Sequence, residues 1–152
     1  MEANSDLIDL LRALNDERAN YLIVGGYAFA VHGRVRATKD VDIFIGTDPG
    51  NVAKVWRALG AFGAPLEDLS VDDLCVPDTF YIMGRPPNQI DIITTIDGIS
   101  FETAWPNRVE ATYAGVPVSY IGREDLIKNK KAADRPQDRL DLEYLLNDAE
   151  KG

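Results

Sequence analysis

The apolar residues at the start of the chain follow two different periods. Within residues 5–18 they recur at the spacing of one helical face, and Ser5 is the expected N-cap of this helix. The apolar stripe consists of Leu7, Leu10, Leu11 and Leu14. Two short runs rich in apolar residues follow, YLIVGG and DVDIFIG, and each has the length of a strand. The pattern therefore predicts one amphipathic helix and then two strands.

Helix signals lie between and after these strands. The segment YAFAVHG predicts a short helix that Gly33 closes. Asp48–Pro49 marks the start of a further helix, which the pattern extends to about Gly60. Residues 61–78 give a weaker signal, and we expect a short helix around Leu66–Leu74. The first half of the chain thus alternates helices with strands.

The second half of the chain predicts further strands and then two helices. TFYIMG and NQIDIITTI are strands separated by the proline-containing loop RPPN. A short helix is expected near Phe101–Trp105, and Ala114–Gly115 is the expected turn of a hairpin between RVEATY and VPVSYI. REDLIKNKKAAD is predicted to be a helix that Pro136 ends, and the last helix starts there. This order is typical of an α/β (α+β) fold, with a mixed β-sheet flanked by helices.

Length and composition indicate one domain that spans residues 1–152. The single cysteine, Cys75, cannot form an internal disulfide, and with one histidine, His32, it cannot build a zinc site. The N-terminal segment MEANSDLIDLLRAL is acidic and amphipathic, unlike a secretory signal. No apolar run approaches the ~20 residues of a membrane span. We therefore expect a cytoplasmic protein without membrane contact.

The net charge of −9 argues against broad binding to nucleic acid. Positive charge is nonetheless concentrated in two groups. The first consists of Arg34, Arg36 and Lys39, and the second of Lys128, Lys130, Lys131 and Arg135. Local basic groups in an acidic protein suit a small anionic ligand, although a solvated helix face explains the second group equally well.

Two aspartates stand one residue apart at the start of the second predicted strand. Strand alternation places Asp40, Asp42 and Phe44 on one face. Two carboxylates on one face repel each other and lose solvation unless a cation neutralises them. A strand edge that faces water is the alternative interpretation. Carboxylate oxygens at this spacing favour a hard cation such as Mg²⁺ or Mn²⁺.

A third carboxylate strengthens the metal interpretation. Asp91 is the only charged residue in the apolar strand NQIDIITTI, and a buried aspartate needs a partner or a metal ion. If the two strands are neighbours, Asp40, Asp42 and Asp91 can converge on a pair of ions roughly 3.5–4 Å apart. The structural alternative is an ion pair between Asp91 and one of three arginines, Arg85, Arg108 or Arg123.

Gly25 and Gly26 lie where the first strand gives way to a helix. Backbone N–H groups and the helix dipole can meet phosphate oxygens at such a turn. A tight turn that needs glycine only for its backbone freedom is the alternative. The chain lacks both the ending of a P-loop and the G-x-G-x-x-G pattern. The glycine turn, the three acids and the nearby basic residues together indicate nucleotide chemistry.

The order of these motifs resembles the nucleotidyltransferase superfamily related to polymerase beta. Its signature is a glycine pair, a helical spacer, an Asp-x-Asp strand and a later third aspartate. Here these are Gly25–Gly26, thirteen intervening residues, Asp40–Val41–Asp42, and Asp91 in QIDIITTI. The resemblance extends over roughly residues 21–146.

The resemblance implies metal-dependent transfer of a nucleoside monophosphate from an NTP to an acceptor hydroxyl, with Mg²⁺ or Mn²⁺ as cofactor. Asp40, Asp42 and Asp91 would be the metal ligands and catalytic residues, and Asp91 would also take the proton of the acceptor. Gly25 and Gly26 would contact the triphosphate. Further nucleotide contacts are expected from Arg36, Lys39 and Lys130.

The C-terminal run EDLIKNKKAADRPQDRLDLEYL is similar to the end of small bacterial members of the superfamily, including those grouped with type IV toxin–antitoxin nucleotidyltransferases. The matching positions are Lys130, Arg135–Pro136, Asp138 and Asp141. Asp138 and Asp141 share a helix face, so they can orient Lys130 or Arg36. Acids that complement a helix N-terminus are the alternative.

The sequence leaves the acceptor and the partners open. A small-molecule drug such as an aminoglycoside or lincosamide, a tRNA end and a protein hydroxyl are all compatible acceptors, and a homo-oligomer or an antitoxin is the candidate partner. One alternative function is a non-catalytic nucleotide-binding or toxin–antitoxin partner protein with the same fold, although all three acids are intact. A metal-dependent nuclease is the other, but it gives no role to Gly25–Gly26.

Overall fold

A computed structural model describes residues 3–151, with side chains described through residue 147. The first two residues of the acidic N-terminal segment and residue 152 lie outside this range. The described elements are α1 (Ser5–Asp16), β1 (Tyr21–Val24), α2 (Gly25–His32), β2 (Asp40–Ile45), α3 (Pro49–Phe62), β3 (Phe80–Met83), β4 (Gln89–Ile93), α4 (Phe101–Ala104), β5 (Val109–Tyr113), β6 (Val116–Tyr120), α5 (Arg123–Ala133) and α6 (Pro136–Lys151). Short 3₁₀ turns form at Asp72–Cys75 and Trp105–Asn107.

The strands form one mixed six-stranded sheet in the order β3-β4-β2-β1-β6-β5. The pairs β1/β2, β3/β4 and β5/β6 are antiparallel, whereas β2/β4 and β1/β6 are parallel. Two parallel strands need a long crossover connection. The connection between β2 and β4 consists of α3, the segment after it and β3. The mixed α/β architecture confirms the fold class that the sequence predicts.

The hydrophobic core lies on both sides of the two central strands. All four leucines of the predicted stripe of α1 are fully buried, and α1 packs on α3 and β6. Ile23 of β1 and Ile43 of β2 are also fully buried. Burial of each such side chain contributes about 1.5–3 kcal/mol relative to exposure. This core fixes the end of the sheet where β1 stops and β2 starts.

The hairpin and the helix boundaries agree with most of the sequence predictions. Ala114 and Gly115 have φ angles of 49° and 83°, the left-handed geometry of a two-residue hairpin turn. Gly33 caps α2, and Asp48 caps α3 by accepting a hydrogen bond from the backbone N–H of Asn51. Among residues 3–151, no helix combines the length and the apolar character needed to cross a bilayer.

The N-cap of α1 and the end of α3 differ from the predictions. Asn4 is the N-cap, and not Ser5, because the side-chain oxygen of Asn4 accepts a hydrogen bond from the backbone N–H of Leu7. Helix α3 continues past the predicted end at Gly60 and stops at Gly63, whose φ of 92° lies in the left-handed region.

The short helix predicted around Leu66–Leu74 is wrong, and only the 3₁₀ turn Asp72–Cys75 forms there. Ser70 and Asp73 exchange hydrogen bonds between their side chains and each other's backbone N–H groups. Such local bonds compete with the helical pattern, which explains the difference.

Candidate active site

Three aspartate side chains meet at one end of the sheet. Asp42 of β2 stands in register with Asp91 of β4, and Asp40 with Gln89, so their side chains point to the same face. One carboxylate oxygen from each of Asp40, Asp42 and Asp91 lies within 4.8 Å of the others. Asp91 is 1% exposed, and the other two are half-buried. The convergence that the sequence predicts is present in the fold.

The close approach raises the pKa of two of these carboxyl groups. Burial, followed by the negative charges of Asp40 and Asp91, raises the pKa of Asp42 to about 7. Burial and then the charge of Asp91 raise the pKa of Asp40 as well. Carboxylates held this close favour their ionised forms only when a cation is near.

The donor set of this cluster fits a hard divalent cation. Its ligand atoms are all carboxylate oxygens, which Mg²⁺ and Mn²⁺ prefer. The ion-pair alternative for Asp91 is not found within residues 3–147: Arg108 pairs with Glu110, Arg123 pairs with Glu124, and Arg85 makes no ion pair there. The described partner of Asp91 is instead the amide of Gln89, whose Nε2 donates to Oδ1 at 2.8 Å.

Gly25 touches the acid cluster at the point where β1 turns into α2. Its φ is 66°, and a Cβ atom added to it would lie 2.7 Å from Oδ2 of Asp42. Real Cβ atoms do not approach a carboxylate oxygen so closely, and the positive φ is also strained for other residues. Gly25 is therefore required both by the backbone and by the position of Asp42.

Gly26 faces a different group of side chains. A Cβ atom at this position would lie 3.0 Å from Oγ1 of Thr38 and 3.4 Å from Nη1 of Arg36. Gly26 also lines a cavity of about 400 Å³ whose walls include Tyr27 and Tyr113. None of the three acids lines this cavity. The two glycines thus border separate spaces, and only Gly25 contacts the carboxylates.

A cleft of about 310 Å³ opens beside Gly25 and Asp42. It crosses four neighbouring strands, since Val24 ends β1, Asp42 lies on β2, Ile93 on β4 and Phe80 on β3. One wall comes from α5 and from the residue before α6, through Asn129 and Arg135. The cleft therefore joins the glycine turn to the edge of the sheet.

Arg135 lines the cleft, although the sequence analysis did not name it among the expected nucleotide contacts. Its Nε and Nη2 atoms donate to Asp138 at 2.7 and 3.3 Å, and Nη1 has no hydrogen-bond partner among the described side chains. The hydrogen bond to Asp138 raises the pKa of Arg135. Burial is the next largest effect and opposes the rise, and the charges of Asp138, Asp42 and Asp97 then add to it. The Arg-Pro-x-Asp spacing in the sequence is the signal that could have indicated this position of Arg135, because Asp138 caps the turn that orients Arg135.

Lys130 is buried in an ion-pair network behind the cleft. It is 3% exposed, and its Nζ donates to Asp141 at 2.7 Å and to Asp138 at 3.5 Å. Asp141 also accepts a hydrogen bond of 2.9 Å from Nη2 of Arg36. Burial raises the pKa of Asp141, but the hydrogen bonds from Lys130, Arg36 and Gln137 together outweigh it and lower this pKa. The pKa of Asp138 is also lowered against burial, chiefly by the hydrogen bonds and the charge of Arg135. The contacts agree with the expectation that the two acids orient Lys130 and Arg36.

The basic residues expected to contact a nucleotide therefore occupy three different environments. Lys130 is committed to carboxylates, Arg36 lies partly exposed beside Gly26, and Lys39 is exposed next to Asp40. Within the described side chains, Arg135 is the basic group that lines the cleft beside Asp42. Direct phosphate contacts of the three predicted residues stay predictions.

This chain combines a mixed sheet, a glycine turn and convergent acids, as a nucleotidyltransferase does. Residues 3–146 match the family described as nucleotidyltransferase of unknown function (DUF6036), and the chain belongs to this family. The family confirms the class of protein that the glycine pair and the three aspartates indicate in the sequence. No curated protein sequence matches the chain.

Solved structures show the same fold at low sequence identity. ANT(2″)-Ia, in complex with adenylyl-2″-tobramycin, is similar with a TM-score of 0.61 and 17% identity over 97% of this chain and 90% of that chain. A candidate nucleotidyltransferase from Thermotoga maritima is similar with a TM-score of 0.57 and 16% identity over 97% of this chain and 96% of that chain. At these identities the likeness establishes the fold.

We expect the substitution Gly25→Ala to weaken Mg²⁺ binding by about tenfold or more, because the added methyl group displaces a carboxylate that the cluster needs. Gly63→Ala is the matched control, since Gly63 also has a positive φ but has open space around it. Both variants carry backbone strain, and only the first is expected to lose Mg²⁺ affinity in calorimetry. Equal Mg²⁺ affinity of the two variants would contradict the proposed contact.

We expect Asp42→Asn to stabilise the protein in EDTA at pH 8. The pKa of Asp42 is raised to about 7 in the folded protein, whereas that of an aspartate in the unfolded chain is about 4. The protonated carboxyl group therefore makes its full contribution to stability below pH 4, and this contribution is lost as the pH rises through 7. The amide avoids that loss, and the melting temperature should exceed that of the unsubstituted protein by an amount of the order of 5 °C at pH 8. The difference should shrink at pH 5, and a difference that is larger at pH 5 would reverse the assigned sign.

Proposed function

We propose that this protein transfers a nucleoside monophosphate from an NTP to a hydroxyl group of an acceptor. The observation that carries the proposal is the convergence of Asp40, Asp42 and Asp91 within 4.8 Å of one another. Asp42 of this cluster contacts Gly25, and both residues line the cleft. Transfer of a nucleotidyl group needs a site that offsets the charge of a triphosphate and a base within reach of the acceptor. Here the aspartates of the adjacent strands β2 and β4 can provide both the charge compensation and the base.

The donor end of the cleft is proposed to lie at the glycine turn. The N–H groups at the start of α2 and the free Nη1 atom of Arg135 can donate to phosphate oxygens there. Asp40, Asp42 and Asp91 would hold Mg²⁺ or Mn²⁺, whose charge offsets that of the triphosphate. Gly25 leaves room for this arrangement because it has no side chain.

Asp91 is proposed to accept the proton of the acceptor hydroxyl. The hydrogen bond from Gln89 to Oδ1 fixes the orientation of its carboxylate. As the acceptor oxygen bonds to the α-phosphorus, the bond from this phosphorus to pyrophosphate breaks and the proton passes to Asp91. The hydrogen bond from Gln89 holds the carboxylate in place before the reaction.

Arg36, Lys130 and Lys39 are proposed to support the donor site in different ways. Arg36 and Lys130 both donate to Asp141, so they link the segment before β2 to α5 and α6. Through this link they position the start of β2 and the turn that carries Arg135. Lys39 is exposed beside Asp40 and is the proposed contact of an outer phosphate.

We expect label transfer when the purified protein is incubated with ATP labelled at the α-phosphate, Mg²⁺ and cell extract separated into small-molecule, RNA and protein fractions. ATP is the first donor to test because the complex of ANT(2″)-Ia contains an adenylyl product. Asp42→Asn should lower transfer by about 100-fold or more. The exposed Asp68 provides the matched control, and Asp68→Asn should retain full transfer.

The same assay separates the alternative functions. Absence of label in every fraction, with intact binding of the NTP, would favour a non-catalytic nucleotide-binding protein or a toxin–antitoxin partner. Cleavage of a phosphodiester without any NTP would favour a nuclease. Full turnover by a folded Asp42→Asn protein would overturn the role of the acid cluster.

We expect Arg135→Ala to weaken binding of a non-hydrolysable ATP analogue with Mg²⁺ by about tenfold, the effect of losing one hydrogen bond to a charged group. Arg139→Ala is the control, because Arg139 is similarly exposed and pairs with Asp134 away from the acids. Calorimetry measures both affinities. The same loss in both variants would indicate a general charge effect and would remove Arg135 from the donor site.

A further inference from the structure

The edge strand β3 exposes one of its faces beside the acid cluster. Tyr81 and Met83 point into the protein, where the hydroxyl of Tyr81 donates to the carbonyl of Pro65 and Met83 is 6% exposed. The alternate residues, Phe80 and Ile82, are 57% and 52% exposed. Large apolar side chains on an open edge favour pairing with other molecules, so they are unusual without a function.

The strand register aligns this exposed face with the acids. Ile82 stands directly opposite Asp91 in the antiparallel pair of β3 with β4, and Phe80 stands opposite Ile93. Directly opposite side chains share a face, with Cβ atoms about 4.5–5.5 Å apart. Phe80 also lines the cleft that contains Asp42. A molecule whose hydroxyl approaches Asp91 along this face of the sheet would therefore contact Phe80 and Ile82.

The charges of the cleft limit what this molecule can be. Asp78 and Asp97 line the cleft together with Asp42, and both are exposed. Arg135 is the basic residue of that lining, and it lies on the wall next to α6. Asp78 lies just before β3, next to Phe80, so a phosphate of the acceptor at this end would meet negative charge. A protonated amine would instead be attracted both by the carboxylates and by the face of the Phe80 ring.

We propose that the face of β3 formed by Phe80 and Ile82 is the acceptor subsite, and that the acceptor is a small molecule with a hydroxyl, an apolar or aromatic face and a protonated amine. This inference rests on the proposed function, because it assigns the acceptor side of the same cleft. The net charge of −9 further disfavours a polyanionic acceptor such as RNA. The donor stays at the other end, beside Gly25 and Arg135.

Three phenols of matched shape test the proposal. Tyramine carries an ammonium group, 4-ethylphenol is neutral, and 3-(4-hydroxyphenyl)propionate carries a carboxylate. Each is titrated into the full chain in the presence of Mg²⁺ and a non-hydrolysable ATP analogue, and backbone N–H signals are followed by NMR. We expect the shifts to centre on Phe80 and Ile82, with tyramine bound about three- to fivefold more tightly than the neutral phenol and the anionic phenol bound most weakly.

Matched variants separate the apolar and the electrostatic contributions. Phe80→Ala should weaken binding of tyramine and of 4-ethylphenol, whereas Leu140→Ala should weaken neither, since Leu140 is 62% exposed but lies on α6. The pair Asp78→Asn and Asp97→Asn should abolish the preference for tyramine and leave 4-ethylphenol unchanged. Shifts that centre away from β3, or equal or reversed affinities of the three phenols, would overturn the proposal.

Failure of this inference can be distinguished from failure of the proposed function. The ATP analogue is expected to shift the signals of Gly25 and Gly26 before any phenol is added. If it does so and the phenols bind elsewhere, the acceptor subsite is wrong and the donor site stands. If the analogue does not bind, the nucleotidyl transfer itself is contradicted.

Discussion

The register between β2 and β4 is the constraint on which the site depends. It sets Asp42 opposite Asp91, although two carboxylates in this position repel each other. The same register sets Ile43 opposite Ile92 on the reverse face, where both are fully buried. A slip of one residue would turn the apolar side chains to water and Asp91 into the core. Hydrophobic burial on one face therefore holds the acids together on the other.

Two features next to the acid cluster, the glycine at position 25 and the guanidinium of Arg135, fit its shape and its charge. Gly25 allows the backbone of α2 to approach Asp42 closely, which no residue with a Cβ atom permits without a shift. On the opposite wall, Asp138 holds the guanidinium of Arg135 in the cleft. Asp138 is itself linked to the buried Lys130. The negative cluster is thus faced by an exposed cation that the buried carboxylate of Asp138 holds in position, which limits the cost of reorganisation when an anion binds.

The cleft is asymmetric, and the asymmetry follows from the sheet order. Helix α5 and the start of α6 border it on one side, while β3 ends the sheet on the other. Backbone N–H groups and Arg135 lie at the proposed donor end, and Phe80 and Asp78 lie at the proposed acceptor end. In the proposed function, this arrangement would provide an acceptor surface within the 152 residues of this member of a nucleotidyltransferase family.

The sequence by itself determined the order of the elements, the core stripe of α1 and the identity of the three acids, because periodicity and isolated charges in apolar runs are local signals. It did not determine the turn at residues 66–74, where side-chain to backbone bonds replaced the helix. Only the tertiary structure decided that Lys130 is buried on Asp138 and Asp141, that Arg135 lines the cleft, and that β3 exposes Phe80 next to the acids. These facts depend on which strands and helices become neighbours, and local periodicity does not specify how distant segments pack.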